Sequence, residues 1–370
     1  MLEWLLVVAP VAFSALVFTL AIGSQPVDVA LQHITTPEFL EQQGYAPSTL
    51  DDIIARNIAE IVDGAASLQA PRRIDVGTPE TTINAFAEIT DLVQPVRATQ
   101  RFLGMVDYIA EIHFLADEIM TGTVQLGESE WAFKADQDEN LLATIRIRDS
   151  DTLEIVKYRE MEAEFRDLDS LLDQVAREIV GFVEPYTLAL YLYNQAVLGT
   201  SEDITLADAI DHLKDALPLV PAENRHWYYN LLCHISNELD DPKLAIEYCM
   251  ESVRWNPGFA SAQANWGVAL ALLDQDAEAI EHYQAALRMQ PDLVIARVHL
   301  AELLLERRLY EDALAQLTRA YAVAPEFARI YELRGLIYEE VGVPELTRKE
   351  RFRAEVARAR EPRQSYYEAL

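Results

Sequence analysis

The chain has 370 residues, 61 of them acidic and 30 basic, for a formal net charge of −31. So acidic a surface speaks against nucleic acid as a partner, because phosphate recognition needs a basic face. A hydrophobic share of 51% excludes a disordered chain, and two cysteines exclude both a disulfide-dense small fold and a four-cysteine zinc site.

The amino terminus opens with an apolar segment, Trp4 to Ile22, in which only Ser14 and Thr19 are polar. As a helix it would be about 28 Å long, close to the thickness of a bilayer's hydrocarbon core. It reads as a transmembrane anchor over residues 1–23. A cleaved signal peptide, with Ala21 and Gly23 as the small residues before the cut, is the alternative. The run is long for a signal and has no basic residues before it, which favours the anchor. No Lys or Arg precedes Arg56, and the flank carries Asp28, Glu38, Glu41, Asp51 and Asp52. Such a flank is expected outside the cytoplasm. The expectation is a single-pass protein of a bacterial inner membrane with its bulk in the periplasm.

Residues 24–184 read as a small α/β domain. Val27, Val29 and Leu31 alternate with Asp28, Ala30 and Gln32, ahead of a helix predicted over Thr49 to Leu68. Arg73 to Val76 is a candidate second strand. From Glu80 to Ala116 the apolar residues, among them Phe102, Val106, Ile109 and His113, recur at helical spacing, and a helix is predicted. A strand meander follows over Ile119 to Leu126, Trp131 to Ala135, Leu141 to Arg148 and Leu153 to Tyr158. Ala143, Ile145 and Ile147 point to one face there, and Thr144, Arg146 and Arg148 to the other. Asp149-Ser150-Asp151 supplies a turn. Asp167 to Val183 reads as an amphipathic helix. The run IMTGTVQL, then ATIRIRDSDTLEIVKYREMEAEFRDLDSLLDQVAREIVGFV, resembles the amino-terminal α/β domain of TolB-type envelope proteins over about 65 residues. That likeness concerns fold and carries no function by itself.

The carboxy-terminal half repeats. Pro257, Pro291 and Pro325 are 34 residues apart, and Pro221 lies 36 before the first. Twelve residues before each proline is an alanine, Ala209, Ala245, Ala279 or Ala313. Five before each is a small residue, Ala216, Ser252, Ala286 or Ala320, and eight before each is a larger one, Leu213, Cys249, Tyr283 or Leu317. Small residues let the two helices of a hairpin approach, the large one fills the gap, and proline stops the second helix. Residues 185–361 thus resemble the tetratricopeptide repeat in four to five hairpins. A final unit from Ala328 keeps Tyr331, Gly335 and Tyr338, then turns polar at Thr347 and Arg351, as a capping helix does. Residues 362–370 are left as a tail.

The fold class expected is therefore mostly α: a transmembrane helix, a small α/β domain and a tetratricopeptide α-solenoid. No G-x-x-x-x-G-K-[ST], G-x-G-x-x-G, G-x-S-x-G or H-E-x-x-H occurs, and none of the seven histidines has another at i, i+4. No catalytic, cofactor-binding or metal site is expected, and no enzyme. Cys233 and Cys249 fall on the two helices of one hairpin, in slots that the repeat pattern places face to face. They read first as two small core residues, as free cysteines often are; an oxidising compartment would also permit a bridge.

The resemblance implies a protein-binding groove on the first helices of the hairpins. It would be lined by Trp227, Asn230, His234 and Glu238, then Ala264, Val268 and Leu272, then Val298, Glu302 and Glu306, then Glu332, Leu336 and Glu340. Groove positions that grip a terminal carboxylate need Lys and Asn. Glu and apolar residues here favour a basic or amphipathic segment of a protein partner. Glu345 to Arg363 holds seven basic and four acidic residues and reads first as a solvated capping helix; pairing with a neighbouring copy or with anionic lipid is the alternative. The function expected is a membrane-anchored scaffold or assembly factor of an envelope complex. An extracytoplasmic sensor, with the α/β domain binding a ligand and the repeats relaying it, is the alternative.

Overall fold

The computed structural model describes residues 27–65, 74–75, 106–116, 123–126, 129–132, 140–149, 154–201 and 203–360. The expected anchor lies outside them. Among the described residues no helix is long and apolar enough to cross a membrane. The chain divides into two compact units, Met1–Asp63 with Gln69–Leu188, and Gly64–Leu68 with Ala189–Leu370.

The first unit is built on a five-stranded sheet of β1 (Val27–Thr35), β2 (Ile74–Asp75), β3 (Val106–Ala116), β6 (Asn140–Asp149) and β7 (Ile155–Glu164). The order is β2-β1-β3-β6-β7, with β1 parallel to β2 and β3, and β3, β6 and β7 antiparallel. The strands β4 (Thr123–Leu126) and β5 (Ser129–Ala132) pair with each other in a separate ribbon. The expected meander is thus split between two sheets. In register, Ala110 lies opposite Ile147, Ile112 opposite Ile145 and Phe114 opposite Ala143. All six side chains are buried, while Glu111, His113, Arg146 and Arg148 on the alternate face are half-buried.

Helices α1 (Glu38–Gln42), α2 (Pro47–Ala65) and α3 (Leu168–Val183) complete the unit. On α2 the buried residues Leu50, Ile54, Ile58 and Ile61 recur every three or four residues, and α3 packs an apolar stripe on β6 and β7. One expectation fails here. The helix predicted over Glu80 to Ala116 is a strand from Val106 onward. Its residues fit both periods, and β-branched and aromatic side chains with partners on both edges settle it as β. Residues 80–105 lie outside the described part.

The second unit holds α4 (Pro185–Leu198) from Ala189 onward, α5 (Leu206–Ala216) and four antiparallel hairpins. These are α6 (Arg225–Glu238) with α7 (Pro242–Trp255), α8 (Ala260–Leu272) with α9 (Asp276–Met289), α10 (Val294–Glu306) with α11 (Tyr310–Val323), and α12 (Ala328–Glu340) with α13 (Pro344–Arg360). The hairpins follow the 34-residue register seen in the sequence. Each turn inside a hairpin places one residue in the left-handed region, Asp240 at φ 57°, Asp274 at 58°, Arg308 at 60° and Gly342 at 75°. The next amide then reaches back to the last turn of the first helix, as Gln275 N–H does to Leu270 O at 2.9 Å. Each turn between hairpins is set by proline. Asn256, Gln290 and Ala324 precede Pro257, Pro291 and Pro325 and are extended, at φ −139°, −132° and −128°, because proline disfavours helical backbone just before it.

Inside the hairpins one small residue faces one larger one. A methyl group added at Gly267 would meet the Tyr283 ring at 2.7 Å, so the glycine is required by the ring. Ala301 and Leu317, both fully buried, hold the same two slots one hairpin later. In the α6/α7 hairpin the slots hold Cys233 and Cys249, which are joined in a disulfide with Cα atoms 5.3 Å apart. The reading of two free core cysteines is corrected. Both are 0% exposed, as core residues should be, and they are also bonded. Sequence could not decide this, because a small buried thiol and a buried half-cystine occupy the same slot.

Candidate partner-binding groove

The first helices α6, α8, α10 and α12 touch one another in succession, whereas no close approach of the same extent joins α7, α9 and α11. The stack therefore brings its first helices together, and their free faces are the candidate groove wall.

The expected groove residues form a graded surface along each helix. Asn230, His234, Ala264 and Val298 are buried and form its floor. Trp227, Val268, Glu302 and Glu332 are half-buried on its walls, and Glu238, Glu306 and Glu340 are exposed at the rim. Leu272 and Leu336 are 46% and 44% exposed, large aliphatic side chains left in water.

The amino-terminal half of the groove is an uncharged polar network. The Asn265 side-chain amide donates to Asn230 Oδ1 at 3.0 Å, and the Asn237 amide donates to Asn265 O at 2.9 Å. Tyr193 Oη and His234 Nε2 lie 2.7 Å apart. Burial, with a smaller contribution from His299, pushes the His234 pKa down to about 4, so the imidazole is neutral at neutral pH. Trp227 stands edge-on to Phe259, with ring centroids 4.6 Å apart.

The carboxy-terminal half is charged but internally paired. Glu302 accepts from Arg329 Nε at 2.7 Å and lies 2.9 Å from His299 Nδ1. Glu332 accepts from Arg329 Nη1 at 3.0 Å and from Arg358 Nε at 2.9 Å. The ladder thus crosses from α10 to α12 to α13. Burial works against ionisation of Glu302, but His299 and Arg329 outweigh it and hold that carboxyl below its ordinary range. The groove is acidic in composition, yet two of its acids are already matched from within. Tyr310 Oη lies 3.4 Å from Glu340 at the rim.

Sequence reasoning does not find Tyr193, Asn237, Asn265, His299, Arg329 or Arg358. The Arg329 and Glu332 pair, three residues apart on one helix, is visible in principle. His299 likewise stands three residues before Glu302 on α10, whereas Tyr193, Asn237, Asn265 and Arg358 act across helices. Among the described residues no group of three or more His, Cys, Asp and Glu could hold a metal ion.

No family profile and no curated protein matches the sequence. Some solved structures show a partial likeness. MamA is 22% identical over 46% of this chain and 95% of its own, with a TM-score of 0.35. TTC0263, a TPR protein of Thermus thermophilus, is 22% identical over 45% of this chain and 90% of its own, at 0.36. PilF of Pseudomonas aeruginosa is 13% identical over 55% of this chain and 91% of its own, at 0.39. These likenesses are too slight to carry an argument; the stacked hairpins of residues 225–360 stand on the chain's own register and packing.

Proposed function

We propose that this chain is a membrane-anchored scaffold whose helical stack holds a protein partner in the groove of α6, α8, α10 and α12. The observation that carries the reading is the pair Leu272 and Leu336, exposed on a wall whose floor is already packed and hydrogen-bonded. Exposed aliphatic residues on such a wall suit the apolar face of an amphipathic segment. Its basic residues would meet Glu238, Glu306 and Glu340 at the rim rather than Glu302 and Glu332, which are neutralised from within. Trp4 to Ile22 supplies the anchor in this reading. The buried Cys233–Cys249 bridge supports placing the stack on the oxidising side of the membrane.

The test is co-purification of the full chain in mild detergent, comparing wild type with Leu272→Glu and Leu336→Glu. A stoichiometric partner that is lost from both variants, with melting unchanged to within about 0.5 kcal/mol, is the expected result. Undiminished capture by both variants would sink the groove reading.

A further inference from the structure

The disulfide occupies a slot that the neighbouring hairpins fill by packing. Gly267 with Tyr283 and Ala301 with Leu317 each set a small residue on the first helix against a large one on the second. At the matching positions of the α6/α7 hairpin neither residue is large. Ala245 and Ala269, both fully buried, are the small residues around the bridge, with Ile246, Tyr248 and Trp266 packed at its edge. Cys249 Sγ lies 3.3 Å from the carbonyl of Ala262 on α8, so the bridge also seats the next hairpin. Two thiols there would leave the space that a tyrosine or leucine side chain takes up elsewhere, and lost packing weakens a hairpin that needs its neighbours to be stable.

We propose that the α6/α7 hairpin is completed by oxidation, and that this chain is a substrate of a disulfide-carrying oxidant acting before the hairpin closes. The thiolate of one cysteine attacks the oxidant's disulfide and forms a mixed disulfide. The second thiolate then attacks the chain's own sulfur in that bond. The S–S bond of this chain forms, that of the oxidant breaks, and two electrons and two protons leave with the oxidant as a dithiol. The timing follows from burial. Both cysteines are 0% exposed in the finished stack, so neither sulfur can be reached by another protein once the hairpins have docked. Partner choice is unambiguous, because these are the chain's only two cysteines. They are 16 residues apart within one hairpin, so exchange needs no other part of the fold. The inference is independent of what the groove binds.

The experiment uses the full chain extracted from its native host in mild detergent. Alkylation under denaturing conditions should add no label before reduction and two after it; two labels before reduction overturn the proposal. In the native fold, dithiothreitol should leave the bridge intact until the stack is unfolded, and rapid native reduction would refute the burial argument. Cys233→Ser with Cys249→Ser should lower the melting temperature of the stack by about 10 °C. Cys233→Ala with Cys249→Leu, the pair of the α10/α11 hairpin, should recover most of that loss without any bridge. A serine pair as stable as the oxidised protein shows the bridge to be dispensable and rejects the proposal. If the serine pair does not fold, the Ala/Leu pair decides. Folding supports the substitution of bond for packing, and failure rejects it.

Discussion

The two units solve the same problem, burying an apolar face, at opposite ranges along the chain. In the sheet unit the central strand β3 pairs with β1, some 80 residues earlier, as at Val29 opposite Tyr108. Its other neighbour, β6, adds Ile112 opposite Ile145. The β6 and β7 pair is local, but the central pairing of β1 with β3 cannot form until distant segments meet. In the helical stack the partners are at home or next door: Gly267 with Tyr283 inside a hairpin, Asn230 with Asn265 between adjacent ones. Loop closure therefore weighs on the first unit and hardly on the second, and cooperativity is global in one and stepwise in the other.

The largest effect that tests this contrast comes from the sheet unit. Phe114→Ala empties a fully buried site on β3 and should cost about 3–5 kcal/mol. Calorimetry should show one transition falling and the helical one unmoved; equal shifts of both would erase the distinction between the units. Next in size is acid. His234 binds its proton at about pH 4 in the fold and near its ordinary 6.5 when unfolded. Between those values the unfolded chain holds more protons, so stability of the stack is full above pH 6.5 and declines as pH falls towards 4. The loss is about 3 kcal/mol, measurable by urea unfolding across that window. His234→Gln should flatten the slope.

Smaller changes probe single hairpins. Gly267→Ala pushes a methyl into the Tyr283 ring and should cost about 1–3 kcal/mol. Adding Tyr283→Leu, which recreates the Ala301 and Leu317 pair, should return part of it in a chemical melt. Arg308 is the only one of the four left-handed turn residues that is neither Gly nor Asp. Arg308→Gly should therefore gain about 0.5 kcal/mol, seen as a raised midpoint. A loss would mean that the arginine side chain supports the turn.

How much of this is legible in the sequence follows the same contrast. The helical half can be read because each slot repeats its task, so that Ala245, Ala279 and Ala313 explain one another and the prolines mark the joints. The strand β3 misleads because Phe102, Val106, Ile109 and His113 make a helical pattern that only remote partners overrule. Within the groove, the positions follow from the repeat, but their state does not. That Glu302 and Glu332 are neutralised depends on Arg329 and Arg358 arriving from α12 and α13. The Cys233–Cys249 bond is invisible for another reason: oxidation state is not written in a side chain's size or polarity.

That bond also has a mechanical meaning. A stack of hairpins pulled from its two ends releases chain one hairpin at a time, lengthening with each. The 16-residue separation between Cys233 and Cys249 is bypassed by a covalent link. Tension passes through the sulfurs, and roughly 50 Å of contour stays stored behind them. Under load the segment between the sulfurs would stay closed while the rest of the stack yields.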